Sequence, residues 1–350
     1  MHTRTYLDHA ATTPLLPVAR RALEAGLALW ANPSSPHAEG RAARAALEDA
    51  RARVKAALGW GGEVLFTSGA SEALAIALSR AQADRVLVSA VEHDAVFRAA
   101  PAATVLPMAE GEVDAAALAA ELAAPGRALV AVQHTNSETG TILLPLAANP
   151  LIDQVHAAGG LVLCDAAQLG PGRALPASVD MAVVSGHKLG APVGIGALLV
   201  RDLAMLAPSG GQELGYRPGT ENLPGALALA AALEAGEAEW QTTAEQRFDF
   251  KNRLWRTGEL IAPGCQASHI FALASPRFAA RVLLMRMDAS GFAVSAGSAC
   301  ASGSLKPSRV LAGFGIDPAL AERTIRISLG WSTTPAELDM FAMAWEAIHA

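Results

Sequence analysis

Apolar residues in this chain fall into two rhythms. Short runs rich in valine and leucine, at 64–66, 85–89, 104–106, 128–133, 161–164, 180–184 and 194–200, predict strands. Between them, alanine-rich stretches at 38–58, 71–81, 115–122 and 150–158 carry helical patterning. Runs too uniformly apolar to own a wet face, each separated from the next by a helix, predict a mostly parallel sheet covered on both sides. Ligands of such sheets bind beyond the carboxyl ends of the strands. Several polar clusters follow those ends directly.

After residue 223 the rhythm changes. One long helix is expected over about 223–240 and a charged helix over about 243–260. A strand at 269–274, a helix at 279–287, strands at 292–295 and 324–328, and an amphipathic final helix from Pro335 follow. The prediction is an α/β protein of two domains. A large one spans 15–240, and a smaller α+β domain combines 1–14 with 241–350.

Composition narrows the function classes. At 350 residues and 52% hydrophobic content the chain can bury a large core. Its net charge of −6, without a basic run, argues against a nucleic-acid partner. No apolar run reaches the ~18 residues of a membrane span, and the first residues lack a signal core, so a cytoplasmic protein is expected. The three cysteines, Cys164, Cys265 and Cys300, are widely spaced. They make neither a disulfide framework nor a zinc site, which fits a reducing compartment.

Chemistry concentrates at strand ends. The run 180–184 leads through Ser185, Gly186 and His187 to Lys188, and a lysine among apolar neighbours loses basicity. Such an amine condenses with an aldehyde. After 64–66, Thr67-Ser68-Gly69-Ala70-Ser71-Glu72 opens a helix whose free N–H groups suit an anion; an ordinary serine cap is the plainer reading. Asp165 ends 161–164 and precedes Gln168; a carboxylate there needs a cationic partner, unless it merely caps a turn. His93 follows 85–89 and suits stacking or proton exchange, or a structural place.

A phosphate cup, a strand-end aspartate, a histidine and a loop lysine, each beyond a different strand, together fit pyridoxal phosphate. The small residues of Ser295-Ala296-Gly297-Ser298-Ala299-Cys300-Ala301-Ser302-Gly303-Ser304 predict a loop presenting Cys300 as a reactive thiol. Arg326, alternating with Ile325 and Ile327, either grips a carboxylate or faces solvent.

In order along the chain, these residues resemble the cysteine desulfurases of the NifS/IscS kind, class V aminotransferases with the fold type I architecture. Tyr6 to Pro14, Asn32 to His37 and Arg217-Pro218-Gly219-Thr220-Glu221-Asn222 extend the likeness, as does Arg326-Ile327-Ser328-Leu329-Gly330. The longer form of the Cys300 loop resembles the group that holds the iron-sulfur cluster enzymes. The resemblance implies that Lys188 joins the cofactor, Asp165 meets its ring nitrogen, Gln168 its hydroxyl, and that His93 stacks and takes part in catalysis. Ala70, Ser71, Ser185 and His187 would hold the phosphate, with Thr220 reaching it from the second subunit of a homodimer. Arg326 and Asn136 would bind L-cysteine, and Cys300 would take its sulfur as a persulfide for a sulfur-acceptor or scaffold protein. No metal is implied.

The chain departs from that pattern at Ser137, Ala191, Val193, Leu214 and Trp331, and 260–292 is short. Two rivals share most of the motifs: a selenocysteine lyase or other class V aminotransferase or lyase, and a sulfur-trafficking or scaffold paralogue with little catalysis.

Overall fold

The computed structural model describes residues 4–147, 149–170, 174–296 and 307–350. In chain order it contains β1 (Thr5–Tyr6), α1 (Pro17–Ala28), α2 (Ala38–Ala57), β2 (Glu63–Thr67) and α3 (Ala70–Arg80). There follow β3 (Arg85–Ser89), α4 (Asp94–Ala99), β4 (Thr104–Leu106), a hairpin of β5 (Met108–Ala109) and β6 (Glu112–Val113), and α5 (Ala115–Leu122). Then come β7 (Ala128–Gln133), α6 (Pro150–Ala157), β8 (Leu161–Asp165), β9 (Met181–Ser185), β10 (Gly196–Val200) and α7 (Leu223–Ala235). The last part holds α8 (Ala244–Trp255), β11 (Glu259–Ile261), β12 (Ile270–Ala274), α9 (Ala280–Ala289), β13 (Phe292–Ala293), α10 (Arg309–Gly313), α11 (Pro318–Glu322), β14 (Thr324–Ser328) and α12 (Pro335–His349).

The main sheet runs β2-β10-β9-β8-β7-β3-β4. Every pairing in it is parallel except those of β10, which runs against both β2 and β9. The short Gly/Pro-rich loop before β10 leaves no room for a crossover helix, so the chain turns straight back. Alternate residues of β8 serve opposite cores. Val162 and Cys164 pack with α1, α2 and α7, whereas Leu161 and Leu163 pack with α3 and α4. That two-sided burial is why these strands are continuously apolar.

A second sheet, β11-β12-β14, is antiparallel and carries Phe271, Leu273, Ile325 and Ile327 into a core with α8, α9 and α12. β1 pairs in parallel with β13, so the start of the chain belongs to this layer. Leu7 is fully buried there.

Two long helices expected from the sequence are shorter in the structure. The first ends at Ala235, because Gly236 takes a positive φ of 54°. The charged helix ends at Trp255, and the chain re-forms as β11 against β12. Gly258 permits this, since a Cβ there would lie 2.9 Å from both Leu273 Cδ1 and Trp345.

Candidate active site

Asp165 is the last residue of β8 and Ser185 the last of β9, so both stand at the carboxyl edge of the sheet. A single 3-10 turn, Gly186–Lys188, carries the chain from β9 to the lysine. The N-terminal loop is stitched along that turn, with Thr13 N donating to His187 O at 2.9 Å and Leu16 N to Gly190 O at 2.9 Å. These bonds hold Lys188 at the mouth of the sheet.

Burial lowers the Lys188 ammonium to about 8; the Arg326 charge works the same way, and Asp165 and Asp8 oppose it. At pH 7 such a lysine is neutral in about a tenth of molecules. The side chain retains some exposure, and with Gln168, His9, Trp240, His269 and Trp331 it lines a cleft of about 410 Å³ that is open to solvent and whose walls do not include Asp165, His93 or Arg326. The buried Asp165 carboxylate accepts the Ala167 N–H at 3.0 Å, and among the described residues it has no ion-pair partner. Gln168 Nε2 donates to Ala10 O at 2.9 Å.

His93 caps α4, its Nδ1 accepting the Ala95 N–H at 3.2 Å, which fixes the ring. Burial and then the Lys188 charge lower its pKa, while Asp165 raises it. Lys188, Asp165 and His93 therefore lie within electrostatic reach of one another. Arg309 binds Ala90 O at 2.6 Å, Glu92 O and Asp94 Oδ1 at 3.1 Å, and its guanidinium covers Phe97 at 3.9 Å. It braces the turn that carries His93, and nothing in its local sequence signalled that.

At the start of α3, Gly69 adopts φ 153°, open only to glycine, and no side chain caps the helix. Ala70 and Ser71 follow, and no protein acceptor is seen for their N–H groups among the described residues. Glu72 accepts from Ser68 N at 2.5 Å and from Arg217 Nε at 2.8 Å, tying this end to the 212–222 loop. Exposed Thr220 lines a smaller cavity of about 260 Å³ there, with Thr67, Ser68 and Gly194. His187 Nδ1 lies 3.2 Å from Thr12 Oγ1, so its ring faces the N-terminal loop.

Arg326 is buried on β14. Its Nη2 donates to Asp8 Oδ1 at 2.7 Å and its Nη1 to Ser137 O at 3.0 Å. Asn136 is fully buried, and its amide oxygen accepts Glu138 N, Thr139 N and Thr139 Oγ1. Its oxygen is thus committed to its own turn, while its Nδ2 donates to Val91 O at 3.2 Å, next to the His93 turn. Cys300 lies outside the described residues. Trp331 lines the Lys188 cavity and donates to Pro14 O at 2.9 Å. Nothing in the local sequence marks Asp8 or Arg309, because each acts on a residue hundreds of positions away.

The chain as a whole is similar to known proteins. Residues 5–341 match the family Aminotransferase class-V. An IscS-like cysteine desulfurase of Mycobacterium tuberculosis is 33% identical, across 95% of this chain and 93% of its own length. A cysteine desulfurase of Cereibacter sphaeroides is 35% identical, across 96% of this chain and 93% of its own. A NifS-like protein of Rickettsia africae superposes with a TM-score of 0.86 at 24% identity over 99% of both chains, a likeness of fold.

Proposed function

The chain belongs to the class-V aminotransferase family, among its cysteine desulfurases, and we propose that its Lys188 pocket frees sulfur from L-cysteine, leaving L-alanine and a persulfide on Cys300. The observation that carries this reading is a buried Asp165 carboxylate that has no ion-pair partner among the described residues and lies within electrostatic reach of a lysine of lowered basicity. That pair fits pyridoxal phosphate. Asp165 would meet the ring nitrogen, and the free N–H groups of Ala70 and Ser71 behind Gly69 would take the phosphate, with Ser185 and His187 nearby.

Pyridoxal phosphate, when bound, supplies an aldehyde that reacts with amines and a ring that draws electrons from the adjoining carbon. The chain's residues do the rest. Lys188 gives and takes protons at Nζ, which its lowered pKa permits near neutrality. Asp165 would hold a fixed negative charge against the ring nitrogen and so favour its protonated form. His93 would cover the ring, Gln168 would face its hydroxyl, and Arg326 would orient the substrate carboxylate. Cys300, as thiolate, attacks the substrate sulfur; the S–Cβ bond breaks, its electron pair stays with the alanine product, and the sulfur remains on Cys300. An acceptor protein then takes it, in a reaction that serves iron-sulfur cluster or thio-cofactor synthesis.

A homodimer is part of this reading. Trp30 is 80% exposed and Val193 75%, with Leu27, Leu29 and Leu214 also uncovered. Their loops are linked by Ser34 Oγ to Gln212 at 3.0 Å and Asn222 Nδ2 to Gly194 O at 3.1 Å, beside Thr220. A second copy would cover that apolar surface and carry Thr220 to the partner's phosphate.

The test is product analysis on the protein loaded with pyridoxal phosphate and given L-cysteine. Alanine and, with a thiol reductant, sulfide should appear in equal amounts. Borohydride should fix the cofactor on Lys188, and Cys300→Ala should lose the persulfide while keeping the cofactor. A label on any other residue, or wild-type sulfide release from Cys300→Ala, would overturn the reading.

A further inference from the structure

Arg326 presents two donor edges, and only part of them is in use. Nη1 is taken by Ser137 O and Nη2 by Asp8 Oδ1, while Nε is buried without a partner among the described residues. Nε and Nη2 form one edge of the guanidinium, the edge that receives a carboxylate through two parallel bonds. Asp8 therefore occupies half of a two-bond carboxylate site.

Asp8 is well placed to act as a movable occupant. Its backbone is held, with a bridge to Ser328, Ser328 N donating to Leu7 O at 2.9 Å, and Tyr6 Oη donating to Asp8 O at 3.0 Å. Its side chain, by contrast, is 22% exposed, against 7% for Arg326. Other charges face the pair: Lys188, which feels both Asp8 and Arg326, and the half-buried Glu138, whose carboxyl burial holds toward its neutral form. Glu138 is further engaged by Ser308 Oγ at 2.6 Å. Asp8 is thus the carboxylate paired with Arg326.

We propose that Asp8 is a positioning residue that competes with the α-carboxylate of substrate and product for the Nε/Nη2 edge of Arg326, and so hastens the release of alanine. This rests on the assignment of Arg326 as the carboxylate holder. Two carboxylates on one guanidinium repel each other, so an incoming α-carboxylate must displace Asp8 or bind against its charge. After sulfur leaves, the return of Asp8 to Nη2 frees the product. Substitution by asparagine keeps an oxygen acceptor for Nη2 and removes the charge.

The experiment titrates L-alanine and ethylamine, its counterpart without a carboxylate, calorimetrically into holoenzyme of the wild type, Asp8→Asn, Asp8→Ser and Arg326→Ala. Both Asp8 variants should bind alanine about tenfold more tightly and show a lower KM for cysteine without a higher kcat, with ethylamine binding unchanged. Unchanged or weaker alanine binding in Asp8→Asn, opposite signs in the two Asp8 variants, or an equal change with ethylamine overturns the proposal. Loss of alanine binding in Arg326→Ala confines such a failure to Asp8. Retention of alanine binding there removes the Arg326 assignment and the proposal with it.

Discussion

The Ser89 hydroxyl donates to Glu92 Oε1 at 2.5 Å, inside the turn between β3 and α4. The same oxygen accepts the Gln133 N–H at 2.9 Å, and Oε2 is buried without a partner. Burial pushes this carboxyl up to about 8, with the charge of Asp165 adding to the effect. Glu92 therefore folds as a neutral acid at pH 7, although it is ionised in the unfolded chain.

The consequence is a pH-dependent cost. A carboxyl whose folded pKa is raised binds its proton more tightly in the native state, so stability falls as pH rises from about 4.5 to about 8. Glu92→Gln keeps the acceptor for Ser89 and Gln133 and removes that cost. Denaturant unfolding at pH 5 and pH 8 should show the variant gaining about 2–4 kcal/mol over wild type between the two. A difference that stays constant with pH would mean Glu92 is ionised in the fold.

Lys188 leads to a kinetic prediction. Only the neutral amine attacks an aldehyde, so uptake of pyridoxal phosphate by the apo-protein should rise with pH and level off above about 8. Asp165 supports the ammonium and Arg326 opposes it. Asp165→Asn should therefore shift the midpoint to lower pH and Arg326→Ala to higher pH, both read by the absorbance of bound cofactor during stopped-flow mixing.

Three buried imidazoles make the fold sensitive to acid. Burial lowers His9 and His134 to about 4 and His269 to about 3. The unfolded chain binds these protons near pH 6.5, so stability is retained above that value and lost as pH falls from 6.5 through about 4. Thermal unfolding scanned from pH 6 to 4 should show Tm dropping, because in that range the three histidines outweigh the opposite contribution of Glu92. His269→Gln should flatten part of that slope; an unaltered slope would assign the loss to other groups.

Gly140 tests the turn that holds Asn136 and Ser137. Its φ is +75°, and an added Cβ would fall within the contact radius of the Ile270 carbonyl, which is fixed in β12. Gly140→Ala combines backbone strain with a clash that no side-chain rotation relieves, and should lower stability by about 3 kcal/mol or more. An unchanged denaturation midpoint would show that this turn relaxes freely.

How much of this was legible follows from the kind of signal each residue leaves. Asp165, Ser185 and Lys188 stand just beyond apolar strands, so the end of a hydrophobic run marked them. Arg326 was readable from alternation, since Ile325 and Ile327 point into the core and Arg326 to the other face. The ends of α7 and α8 were not readable, because alanine and charged residues continue the helical pattern past Gly236 and up to Gly258. The reversed direction of β10 also left no mark, because buried parallel and antiparallel strands have the same composition.

The amino-acid order by itself determined the alternation of strands and helices, the residues delivered to the strand ends and the face that Arg326 takes. These depend on local periodicity and on the transfer of apolar surface from water. Only the tertiary structure decided that Asp8 meets Arg326, that Arg309 braces the His93 turn and that Glu92 is buried within reach of the Asp165 charge. A charge finds its partner, and its pKa, through distance and burial in space, and these are set once segments far apart in the chain have packed together.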